Sequence, residues 1–108
     1  MAYLFLALAI VSEVVGTVSL KLSEGFSRLV PSIVVVVAYL AAFGLLSQAL
    51  DRGLGISVAY GVWAAAGVAL VAVAGAVLLG ESLTWVQIGG IALVIGGVLA
   101  LELGAQPT

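Results

Sequence analysis

The sequence predicts an all-α integral membrane protein of four transmembrane helices, and three observations carry that prediction. Of the 108 residues, 65% are hydrophobic and 7% are charged, whereas a soluble domain is about half apolar and about a quarter charged. Mean hydropathy is +1.42. The polar residues gather in short clusters that cut the chain into four apolar runs, each near the ~20 residues a helix needs to cross the hydrocarbon core. Three basic and five acidic side chains could not cover a water-facing surface. Long alternating strands are absent, which argues against a membrane β-barrel.

The first span runs from about Tyr3 to Leu20 and ends in Lys21-Leu22-Ser23-Glu24-Gly25-Phe26-Ser27-Arg28. Its start, Met1-Ala2-Tyr3, lacks the basic residues that open a signal peptide, so the segment is expected to stay as a membrane helix. The second span, about 29–50, carries Pro31 in its opening turn, where a missing N–H costs nothing. Asp51-Arg52-Gly53 closes it. The third span covers about 56–79 and is closed by Gly80-Glu81-Ser82; the fourth covers about 84–103 and leaves a short tail from Gly104. All four belong to one transmembrane domain, 1–108.

Connections this short make sequential helices antiparallel. Both termini and Arg52 then share one side of the bilayer, with Lys21 and Arg28 on the other. Orientation normally follows the Lys/Arg bias of the loops, and here that bias nearly vanishes. Either a partner sets the orientation or the chain inserts both ways. Four helices are few for enclosing a substrate path, so a dimer is expected. Neither cysteine nor histidine is present, which removes disulfides, thiolate metal sites and the commonest metal ligand. No metal site is expected. Net charge is −2 without a basic run, and no nucleic-acid partner is expected.

Glu24, Arg28, Asp51, Arg52 and Glu81 fall at helix ends or turns and read as solvated loop charges. Lys21 and Glu102 lie within reach of the interface. Glu13 is different. It sits about ten residues into its helix, roughly 15 Å deep, with no basic residue at its depth. A carboxylate there costs a few kcal/mol, and such groups usually face a cavity or a partner and mark an ion or substrate path. It could instead be a protonated side chain making one interhelical hydrogen bond. In the first case it holds a proton or a cation, and loses one on taking the other. Leu6, Ala9, Ile10, Gly16, Thr17 and Leu20 share its helical face. Ala9 and Gly16 leave volume beside the carboxyl, although Gly16 reads equally well as a helix–helix contact. Thr17 offers a hydroxyl one turn away.

Aromatic residues supply a second component. Tyr3, Phe5, Phe26 and Trp85 stand near span boundaries, where an interfacial belt is expected. Tyr39 and Phe43, four apart, and Tyr60 and Trp63, three apart, lie inside the second and third spans. Such stripes pack against lipid or other helices, or, beside a buried carboxylate, bind organic cations through their ring faces. A buried Tyr also needs a hydrogen-bond partner, for which Glu13 would serve. In the fourth span Gly89-Gly90 and Gly96-Gly97 repeat at seven residues, a pattern suited to close helix association.

Taken together, SEVVGT, LKLSEGFSRLVPS, SVAYGVW and LLGESLTWVQIGGIALVIGGVLAL make the chain resemble the small multidrug resistance family over nearly its whole length. That resemblance implies a four-helix, multi-pass protein of the bacterial inner membrane, working as an antiparallel, dual-topology homodimer. It implies export of lipophilic, quaternary-ammonium-type cations in exchange for protons, with no cofactor beyond the proton gradient. Position by position, Glu13 matches the carboxylate shared by proton and drug, with Leu6, Ala9, Ile10, Gly16 and Thr17 beside it. Tyr39, Phe43, Tyr60 and Trp63 match pocket residues, and Gly90 and Gly97 match the dimer contact of the fourth helix. The guanidinium-exporting branch usually has Trp where Gly16 stands, so the resemblance favours the drug-exporting branch.

Two departures concern the third helix. Ala65 stands where the family often has Gly, leaving Gly67 alone near an expected bend, and Ala64 replaces the hydroxyl or small residue that usually follows the Trp. The 50–57 loop is one residue longer than in some members. Alternatives kept open are a guanidinium exporter, half of a heterodimeric pair, and a holin-like pore-forming peptide that needs no particular residue at position 13.

Overall fold

The computed structural model describes residues 1–104; the tail expected beyond Gly104 lies outside the described residues. Among the described residues there are four helices and no strand: α1 (Ala2–Leu22), α2 (Leu29–Asp51), α3 (Ile56–Leu78) and α4 (Trp85–Leu103). With 21, 23, 23 and 19 residues, each is about 28–35 Å long at 1.5 Å per residue, enough to span the hydrocarbon core. All four are apolar enough to do so. The chain is therefore a multi-pass membrane protein, and its many exposed Leu, Val and Ile side chains are the surface a bilayer solvates.

Small shifts at the helix ends have local causes. Thr84, expected inside the fourth span, is its cap: its hydroxyl accepts from the Gln87 N–H (3.2 Å) while the Gln87 side chain accepts from the Thr84 N–H (2.9 Å), a capping box. Leu79 falls outside α3 because Gly80 turns left-handed at φ 70°. The Glu81 N–H then folds back onto the Gly75 carbonyl (3.0 Å). Glu81 is exposed, as expected of a loop charge, yet its carboxylate lies over Gly75, where an added Cβ would meet Oε1 at 2.5 Å.

The chain forms two compact units, Met1–Gly53 and a second beginning at Leu54. The first is the α1–α2 hairpin. α1 buries Leu6, Ala9, Ile10 and Gly16; α2 buries Val35, Ala38, Ala42 and Ala49. Five of these eight are Ala or Gly, which lets two backbones approach closely where lipid supplies no hydrophobic drive. The connecting turn winds around Ser23, whose side chain is fully buried. Its hydroxyl donates to the Leu20 carbonyl (2.7 Å) and accepts from the Phe26 N–H (3.0 Å). Its carbonyl accepts from the N–H groups of Ser27 (2.9 Å) and Arg28 (3.1 Å). That web holds Glu24, Gly25 and Phe26 at φ 49°, 73° and 67°, a conformation that costs a non-Gly residue about 1–2 kcal/mol. At the far end Arg52 is exposed, as expected, but is not simply solvated: its guanidinium lies 4.4 Å from the Phe5 ring centroid, a contact worth about 0.5–1 kcal/mol.

In the second unit, α3 is continuous from Ile56 to Leu78 and buries Val58, Ala59, Ala65, Gly67 and Gly75. Its contact with α4 runs through Gly61, where a Cβ would lie 3.1 Å from Leu101 and 3.6 Å from Val98. Gly89, Gly90, Gly96 and Gly97 of α4 have nothing within 4 Å of an added Cβ, and α4 buries no residue.

Candidate functional site

Glu13 stands at the middle of α1, half-buried, with Leu6, Ala9, Ile10 and Gly16 as the buried stripe beside it. The face picked out by three- and four-residue spacing is thus the face that meets α2. Leu20, at the far end of that set, is exposed. One turn beyond the carboxylate, Thr17 Oγ1 donates to Glu13 Oε1 at 2.7 Å. Tyr39 reaches across from α2, its hydroxyl 2.6 Å from the same Thr17 Oγ1. A threonine has a single hydroxyl hydrogen. Since Thr17 gives it to the carboxylate, Tyr39 is the donor in the second bond. The chain therefore runs Tyr39 O–H to Thr17 Oγ1, then Thr17 O–H to Glu13 Oε1, and ends on the Glu13 carboxyl group. Bonds to an ionised acceptor are shorter and about twice as strong as neutral ones.

This arrangement corrects one sequence expectation. Glu13 is not the direct partner of Tyr39; Thr17 stands between them. Of the two readings of Gly16, the structure favours the helix–helix contact over open volume, and the volume expected at Ala9 is taken up. Ala9 is fully buried, and a Cβ at Gly16 would lie 3.2 Å from Tyr39 Cδ2 and Cε2 and 3.3 Å from Ala38 Cβ. The space is already filled by α2. Gly16 is a close helix contact, and what it admits is the Tyr39 ring. Ala38 was missed by the sequence reading; the signal that could have found it is the run of small residues at 38, 42 and 49 beside Tyr39.

Among the described residues the Glu13 carboxylate receives this one hydrogen bond, on Oε1. Phe43, one turn beyond Tyr39, is 60% exposed, whereas Tyr39 is bonded to α1 through Thr17. Tyr60 and Trp63 lie on α3 in the second unit, Tyr60 exposed and Trp63 half-buried. Gly90 and Gly97 lie on the open face of α4. On the side of α1 away from the buried stripe, Val11, Ser12 and Val15 line an open apolar groove of about 410 Å³ with Ile33, Val34, Val37, Ala38 and Ala41.

A hydrogen-bonded carboxylate at mid-span of a four-helix membrane protein is the kind of intramembrane group that marks an ion or substrate path. Residues 1–94 match the family model described as Small Multidrug Resistance protein, and the chain belongs to that family of transporters, which are not enzymes. It is 47% identical over 99 residues to multidrug resistance protein EbrB of Bacillus subtilis, covering 92% of this chain and 84% of that one. It is 44% identical over 101 residues to quaternary ammonium compound-resistance protein QacF of Klebsiella aerogenes, covering 94% and 91%. With multidrug resistance protein mmr of Mycolicibacterium paratuberculosis it shares 40% over 103 residues, covering 95% and 96%.

Proposed function

We propose that the protein exports lipophilic, quaternary-ammonium-type cations across the bacterial inner membrane in exchange for protons, with Glu13 as the group both compete for. The observation that carries this reading is the Glu13 carboxylate at mid-span with one oxygen engaged by Thr17. Such a group takes either a proton or a cation. The QacF and EbrB relatives support the substrate class. Tyr39, Phe43, Tyr60 and Trp63 supply ring faces for the cation, and Leu6, Ala9 and Ile10 shape the wall beside it. Two copies, inserted in opposite orientations, share one chamber, so that the two Glu13 groups titrate as a coupled pair. The open glycine face of α4, with Gly90 and Gly97, supports association there. The exchange requires no cofactor.

Competition fixes the sign of the pH dependence. Tetraphenylphosphonium binding should rise with pH as protons leave the site, and fall by about tenfold per pH unit on the acid side for one competing proton. Guanidinium, small and without rings to stack, should bind more weakly throughout. Titrating both ligands against pH checks this. Binding indifferent to pH, or non-saturating dye leakage from vesicles, would defeat it in favour of a pore.

A further inference from the structure

We infer that Thr17 is a positioning residue that ties the Tyr39 hydroxyl to the charge state of Glu13. This rests on the proposed exchange at Glu13 and extends it to a second helix. The argument is one of donor counting. While Glu13 is charged, it claims the single hydroxyl hydrogen of Thr17 (2.7 Å), and the lone pairs of Thr17 Oγ1 then hold Tyr39 as a donor (2.6 Å). Each bond polarises the next, so the charge at one end strengthens the bond at the other. When a proton or a cation takes Oε2, the carboxyl becomes a weaker acceptor. Thr17 is no longer obliged to point at it, and Tyr39 is released to donate elsewhere. No proton passes along the chain; hydroxyl hydrogens turn while the incoming proton stays on Glu13.

The surroundings leave this pair as the governing one. Gly16 is the reason the ring can lie close enough, since any Cβ there would press on Tyr39 at 3.2 Å. On α2, the helix packed on α1, the titratable groups are Tyr39 and Asp51; Asp51 is twelve residues from Tyr39, about 18 Å along the axis. On α1, Tyr3 is the second residue of the helix, and Lys21 lies one turn past Thr17 at the exposed end of the helix. The charges of Glu24, Arg28 and Arg52 belong to the loops. The link makes protonation of Glu13 felt on α2 through Thr17.

The test uses the full chain in lipid vesicles with ring-labelled tyrosine. The Tyr39 ¹³Cζ resonance is assigned by its loss in Tyr39→Phe, and tetraphenylphosphonium binding is followed in parallel. In the unmodified protein that resonance should move with pH at the midpoint of cation binding. In Thr17→Val, which keeps the branched shape but lacks the hydroxyl, cation binding should persist. Its midpoint should shift to higher pH by about one unit, because the charged form has lost a charge-assisted donor, and the Tyr39 resonance should stop following pH. Thr17→Ser should restore both. A Tyr39 resonance that follows pH equally in Thr17→Val overturns the inference, as does failure of Ser to rescue. If Thr17→Val does not fold, Glu13→Gln decides: its Tyr39 resonance must be flat across pH, and movement overturns the link. Cation binding indifferent to pH beside a titrating Tyr39 defeats the exchange and leaves the link standing; pH-dependent binding beside a flat Tyr39 defeats the link alone.

Discussion

Replacing Glu13 with Gln should abolish proton-driven uptake of tetraphenylphosphonium into sealed vesicles. Gln has the size and shape of Glu and keeps an oxygen that can accept from Thr17, so the α1–α2 contact has no reason to break, while the Tyr39–Thr17 bond loses the charge that orders it. What disappears is the ability to exchange a proton for a cation. Removing one partner of a desolvated charge pair costs about 2–5 kcal/mol, so cation affinity should fall by roughly 30-fold to several thousand-fold. Uptake rates and ligand binding measure the loss, and unchanged far-ultraviolet circular dichroism shows that the helices remain. Glu13→Asp retains the charge one methylene further back and should keep exchange with an altered pH profile. Uptake in Glu13→Gln at the unmodified rate would remove Glu13 from the mechanism.

The second large effect is expected at Gly16. A single Cβ would already touch the Tyr39 ring at 3.2 Å and Ala38 at 3.3 Å. An indole there cannot be absorbed by movements of a few tenths of an ångström. Gly16→Trp must expel the Tyr39 ring, break its bond to Thr17 and part α1 from α2 near the centre of their contact. Overpacking of this kind costs about 1–3 kcal/mol. Tetraphenylphosphonium affinity should fall by about tenfold or more as the ring leaves the site, and the protein should unfold at lower denaturant in detergent. Gly16→Ala asks Tyr39 to give way only slightly and should bind nearly as well as the unmodified chain. Equal tetraphenylphosphonium binding by Gly16→Trp would mean that the Tyr39–Gly16 contact has no part in recognition.

Helix count, span limits and the identity of the α1 face were legible because each rests on composition or on a 3.6-residue period. Leu6, Ala9, Ile10 and Gly16 fall on one stripe by spacing alone, and that stripe is the one buried. Spacing does not say what lies opposite. A small residue lowers the bulk at its position whether the result is a void or a close approach, and only Ala38 and Tyr39 on α2 decide for approach at Gly16. The same ambiguity runs the other way on α4, where the double glycines face nothing and Gly61 of α3 makes the contact instead. Thr17 was visible as a neighbour of Glu13, but its place between Glu13 and Tyr39 depends on rotamers and on helix register, which no single-helix pattern contains. The turns that carry Arg52 and Glu81 are legible in the sequence and their side-chain directions are not; one stacks on Phe5 and the other folds over Gly75.

That proton and cation compete for one carboxylate is tested most directly by counting protons. Tetraphenylphosphonium is added to the purified protein in weakly buffered solution, at a pH where the site is largely protonated, and released protons are read with an indicator dye. Cation binding at Glu13 must expel the proton that Glu13 holds, so the unmodified protein should release protons in proportion to ligand bound, and Glu13→Gln should release none. Saturable tetraphenylphosphonium binding with no proton release at any pH would contradict the exchange at Glu13.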